Sequence, residues 1–92
     1  MSINGMDEKP LLTFPCRYVL KITAIAAEIT LEALLAIVKP HVPSITAADV
    51  AVKNSSQGKY VSFSVSFIAQ SQEQLDALYR DLTSRKEIVF VL

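Results

Sequence analysis

One ten-residue stretch constrains this chain more than any other. Between Tyr60 and Ala69, Val61, Phe63, Val65 and Phe67 alternate strictly with Ser62, Ser64 and Ser66. A repeat of two residues is the pleat of a β-strand, whose successive side chains point to opposite faces. One face of this strand is therefore oily and the other polar. The oily face demands a covering layer, because burying a side chain of that size stabilises by about 1.5–3 kcal/mol and leaving it wet forfeits that gain.

The rest of the chain supplies the layer. Upstream, Ser55-Ser56-Gln57-Gly58 is turn chemistry, with Gly58 free to take positive φ, and the weakly alternating segment before it, around Val50 and Val52, pairs back as a hairpin. Another alternating run opens the chain's ordered part: Tyr18, Leu20 and Ile22 fall in one phase, and Arg17, Val19, Lys21 and Thr23 in the other. Leu31, Leu34, Leu35 and Val38 sit at helical spacing behind Thr30, a fitting N-cap, and Pro40 stops that helix. Leu75, Leu78, Tyr79 and Leu82 repeat the pattern behind Ser71, with Gln74 placed to complete a capping box. The apolar Ile88-Val89-Phe90-Val91-Leu92 closes the sequence as a strand. The order strand, helix, strand, strand, helix, strand leaves few arrangements once crossovers are right-handed. It predicts an α+β, ferredoxin-like βαββαβ sandwich: a four-stranded antiparallel sheet, the first and third strands central, with two helices on one face. Residues 1–12 are expected to form a flexible tail and 13–92 a single domain.

Composition narrows what such a domain does. Ninety-two residues, 51% hydrophobic, support one core. Nine basic residues balance nine acidic ones, whereas a protein that neutralises phosphates normally shows a basic excess, so nucleic acid is disfavoured as a partner. One cysteine excludes an intrachain disulfide and any multi-cysteine metal site. There is no basic and apolar leader, nor any apolar run long enough to span a bilayer, so the expectation is a cytoplasmic protein without membrane contact.

The alternation also assigns the two faces. With the helices over Phe63 and Phe67, the bare side carries Arg17, Val19 and Lys21 beside Ser62, Ser64 and Ser66. Arg17, Lys21, Ser62, Ser64 and Ser66 are the candidate docking face for a protein partner or a second copy of the chain, the other route being an unpaired edge at Val89–Leu92. RNA-binding domains of this shape stack bases on aromatics of the central strands; here only Tyr60 shares the bare phase. Ser55, Ser56, Gly58, Lys59 and Tyr60 form a second candidate, a loop whose backbone amides and lysine suit an anion. Cys16 reads as a small buried hydrophobe, and His41 as a residue favouring the end of its helix. Glu73, Asp76, Arg80 and Asp81 read as a solvated helix face. No activated nucleophile or acid–base pair is spaced for catalysis, so neither an enzyme nor a cofactor is expected.

Three stretches carry a family resemblance: Leu11 to Cys16 with Tyr18 and Lys21, then Val52 to Ser62 with its Ser-Ser-x-Gly-x-Tyr-x-Ser run, and Leu78 to Leu92. Together they resemble the YbeD-like family of small, uncharacterised bacterial proteins. The resemblance implies a ferredoxin-like fold similar to the ACT regulatory domain. The alternation in Tyr60–Ala69 and the lack of a catalytic constellation point to a non-enzymatic regulatory or interaction module; the resemblance implies, as the alternative, an ACT-type small-ligand sensor with a link to lipoate metabolism. It assigns no catalytic residues.

Overall fold

A computed structural model describes residues 13–55 and 57–92. The expected N-terminal tail, 1–12, and Ser56 lie outside the described residues. Among the described residues, four strands and two helices follow the order read from the sequence: β1 (Cys16–Ile25), α1 (Leu31–Val38), β2 (Val50–Asn54), β3 (Tyr60–Ala69), α2 (Gln72–Thr83) and β4 (Ile88–Val91). Short 3-10 turns at Ala26–Glu28 and Ala47–Asp49 lead into α1 and β2. The strands form one antiparallel sheet in the order β2-β3-β1-β4, so β1 and β3 are central. This is the ferredoxin-like arrangement.

Register decides the faces. Phe63 stands opposite Ile22, Val65 opposite Leu20 and Phe67 opposite Tyr18, so the apolar phases of β1 and β3 coincide. Phe63 is 1% exposed and Ile22 and Val65 are fully buried. Leu34 and Val38 of α1, with Leu78 and Leu82 of α2, seal that side. The α1 stripe sits slightly rotated from the spacing: Ile37 is buried, while Leu31 and Leu35 are half-buried at its border. Val52 shares the core phase through its pairing with Phe63 but remains exposed, so the outer strand β2 is not fully covered.

Local chemistry fixes the ends. Thr30 Oγ1 accepts from Ala33 N at 3.0 Å and Ser71 Oγ accepts from Gln74 N at 3.1 Å, satisfying amides that the first helical turns leave unpaired. The second cap departs from the expected box. Gln74 Oε1 accepts from the amide of Gln70, not Ser71, at 2.7 Å, and its Nε2 donates to the carbonyl of His41 at 2.8 Å. Gln74 thus ties the start of α2 to the chain leaving α1. Gly58 takes φ +73°, the left-handed conformation that the hairpin loop requires.

Strand β4 contains an irregularity with consequences for the surface. Ile88 and Val91 are three positions apart, which in a regular strand would put them on opposite faces. Both are buried. The register slips between Thr23 and Ala24, so that Ala24 faces Ile88 while Thr23 faces Phe90. Val89 is the extra residue of a β-bulge, and Phe90 is thereby placed in the bare phase beside Thr23.

Candidate functional site

The helix-free face of the sheet is a ladder of small side chains with cations beside it. Along β3, Ser62, Ser64 and Ser66 are half-buried. Ser64 lies between Lys21 of β1 and Ala51 of β2, and Ser62 between Thr23 and Lys53. Arg17 stands opposite Ile68 at one end. The five residues predicted for a docking face, Arg17, Lys21, Ser62, Ser64 and Ser66, therefore share one surface. Small side chains at the centre and longer ones at the flanks leave a depression of about 410 Å³, lined among others by Lys21, Thr23, Ser62, Ser64, Phe90 and Leu92.

Beside the cations and serines that the alternation assigns to it, this face carries exposed apolar side chains. Val19, Ile68 and Phe90 are each close to half exposed and Leu92 more so. Phe90 escaped notice because Ile88 to Leu92 is apolar at every position and shows no alternation; only the bulge tells its faces apart. Lys53 was legible in principle, being five residues before Gly58 in a hairpin whose partner strand was already phased. Phe90 also gives the bare side an aromatic besides Tyr60, at the sheet's edge. On the central strands Tyr60, at the start of β3, is the one aromatic in this phase; the other positions hold Arg17, Val19, Lys21, Thr23, Ile25, the serines and Ile68.

The loop of Ser55, Gly58, Lys59 and Tyr60 has largely spent its hydrogen-bonding groups, and its fifth predicted member, Ser56, lies outside the described residues. Ser55 N donates to Tyr60 O at 2.9 Å, Gly58 N to Ser55 O at 3.0 Å, and Tyr60 N to Ser55 Oγ at 3.1 Å. The carbonyl of Lys59 accepts from Ala26 N at 3.0 Å, joining the loop to the end of β1. Ser55, Gln57, Lys59 and Tyr60 line a shallow hollow of about 180 Å³.

On the helix side, Glu73, Asp76 and Arg80 are exposed as a solvated face, while Asp81 departs from it and joins a polar cluster. His41 Nε2 donates to Asp81 Oδ2 at 2.8 Å, and Arg85 donates to Asp81 Oδ1 at 3.2 Å. Pro40 ends α1 and the turn after it carries His41 onto α2, a juxtaposition of residues forty positions apart that spacing along the sequence does not reveal. The bond from His41 is the main reason that the Asp81 carboxyl is held below the usual carboxylate range; partial burial opposes the shift and Arg85 reinforces it. Cys16, in the inward phase, is half-buried and free. Among the described residues no three His, Cys, Asp or Glu side chains converge as a metal site, and no helix is long and apolar enough to cross a membrane.

The whole chain has recognisable relatives. A solution structure of protein HP0495 from H. pylori superimposes with a TM-score of 0.72 over 92% of this chain and 89% of that one, at 16% identity, a likeness of fold. A UPF0250 protein of Hahella chejuensis is 35% identical over 97% of this chain and 98% of its own length. A UPF0250 protein of Neisseria meningitidis is 37% identical over 94% of each. Residues 9–92 match the family model described as a protein of unknown function, DUF493. The chain therefore belongs to the DUF493 family, the group of uncharacterised bacterial proteins that the Ser-Ser-x-Gly-x-Tyr run and the closing strand resembled.

Proposed function

We propose that this protein is a non-enzymatic interaction module that docks a partner protein on the helix-free face of its sheet. One observation carries the reading. The bare face presents a trough of half-buried serines on its central strand, edged by the exposed apolar side chains of Val19, Ile68, Phe90 and Leu92. Serine projects little beyond the backbone, so a second layer can approach closely, and the apolar edges supply the gain on desolvation. A regulatory role follows if the partner's activity changes on docking.

Capture from a bacterial extract with the immobilised full chain tests this. The Ser64→Tyr variant fills the trough at its centre, whereas Glu73→Lys alters the exposed helix side. Partners retained by wild type and by Glu73→Lys but lost with Ser64→Tyr support docking on this face. Capture indifferent to Ser64→Tyr, or no capture at all, overturns it. The size of the depression, about 410 Å³, also falls in the range of small-ligand pockets, which favours a second reading, an ACT-type sensor. A thermal-shift screen of amino acids, nucleotides and lipoyl compounds supports it by a stabilising hit that Ser64→Tyr abolishes, and flat melting temperatures oppose it.

A further inference from the structure

The neutral total charge of this chain hides a separation. The four strands contain Arg17, Lys21 and Lys53 and not one Asp or Glu. All three cations are exposed, and their pairing partners, Ile68, Ser64 and Ser62, place all three on the bare face. None of them makes an ion pair within 4 Å among the described residues. The two helices carry Glu32, Glu73, Asp76 and Asp81 against one cation, Arg80, and Asp81 is already paired with His41 and Arg85, so both signs are mixed on that side. At the rim of the bare face, Asp49 is committed to its own turn, Oδ2 accepting from Thr46 N at 3.0 Å and from Thr46 Oγ1 at 3.1 Å. Glu87 precedes β4 at the sheet's end.

From this we infer that the partner docked on the sheet face is an acidic protein segment, which sets carboxylates against Arg17, Lys21 and Lys53 and an apolar side chain in the depression beside Phe90. The inference rests on the interaction reading above and specifies the partner's chemistry. Strand geometry sets the spacing. Arg17 and Lys21, four residues apart on one strand, are separated by roughly 13 Å, and Lys21 and Lys53, two strands and two residues apart, by roughly 12 Å. Carboxylates at that interval are four residues apart on one face of an extended segment or about eight apart along a helix. The same charges argue against a second copy. Two sheet faces related by a two-fold axis set like cations against each other, and a sheet face on another copy's helix layer is a head-to-tail contact that does not close.

Panning a random twelve-residue peptide library against the immobilised full chain tests the claim, with enriched peptides mapped by amide chemical shifts on the labelled protein. The expected result is enrichment of Asp and Glu together with an aromatic or aliphatic residue, and perturbation of Thr23, Ser62, Ser64 and Phe90. Affinity should fall steeply with added salt, and about tenfold for each of Lys21→Glu and Lys53→Glu. Both lysines are exposed, so unchanged melting temperatures will show that the variants are folded. Neutral or basic peptides that perturb the same amides overturn the acidic partner while leaving face docking intact. Peptides that map to the helices, or the absence of any enrichment, overturn both. Tighter occupation of the depression by decanoate than by any selected peptide, or binding of a fluorescent oligothymidylate that the lysine variants abolish, overturns the acidic protein segment in favour of a small carboxylate or of nucleic acid.

Discussion

On one side of β3, Val61, Phe63, Val65 and Phe67 are sealed beneath two helices, with exposures of 6% or less. On the other side, one residue along the backbone each time, Ser62, Ser64 and Ser66 face outward, Ser62 beside Lys53 and Ser64 beside Lys21. The same hydrogen-bonded ladder supports both sets, so backbone geometry does not distinguish them. The difference is what each side chain loses in water. The apolar side obtains its stability from desolvation and close packing, and tolerates little change in volume. The polar side contributes little to folding and is free to be shaped for something else.

The largest test of this contrast compares neighbours in the chain. Phe63→Ala should cost about 3–5 kcal/mol, since it opens a cavity between the helices and the central strands. Ser64→Ala should stay within about 0.5 kcal/mol of wild type, because its hydroxyl lies on the bare face. Urea denaturation of both variants measures the difference directly. Equal losses would mean that the serine side is also a packed interior.

How much of this was readable beforehand follows from the same physics. The alternation in β3 announced its two faces, and the Thr30 and Ser71 caps with Pro40 bounded the helices, because these signals act within a few residues. The register between β1 and β3 added that Lys21 sits beside Ser64, consistent with the phases read from each strand alone. What stayed hidden depends on contacts between distant segments. The bulge at Val89 arises from pairing with β1, and without it Phe90 has no assigned side. The bond between His41 and Asp81 exists because two helices pack together, and neither residue signals the other from its own neighbourhood.

That helix-side cluster gives the second test, of whether the covered side is held by polar contacts as well as apolar ones. The carboxyl of Asp81 is held below its ordinary range chiefly by the His41 bond. A carboxyl lowered in the folded state adds stability above its unfolded value, near 3.9, and loses that contribution as pH falls through the folded value. Asp81→Asn should therefore be less stable than wild type at pH 7, by about 1 kcal/mol for an incompletely buried charged hydrogen bond. The gap should narrow at pH 3 and below. Denaturant midpoints for both proteins across this interval check the sign. A gap that is constant with pH would show that the Asn change acts through packing alone.

The smallest effect on folding sharpens the comparison most, because it separates folding from docking on the bare side. Phe90 is 48% exposed and occupies the position that the bulge turns away from the core. In a closed core an aromatic-to-serine change would be severe; here about half of the side chain already meets water, so Phe90→Ser should cost no more than about 1 kcal/mol. Its neighbours Ile88 and Val91, on the same short strand, are buried, and Ile88→Ser should unfold the protein readily by comparison. If the bare side is a docking surface, the Phe90 change removes the aromatic wall of its depression and weakens partner binding in a protein that still folds cooperatively. Thermal melts and peptide titrations on the same sample read both quantities. A Phe90→Ser variant that loses stability as Ile88→Ser does would place the ring in the core, and the two faces of β4 would have to be exchanged.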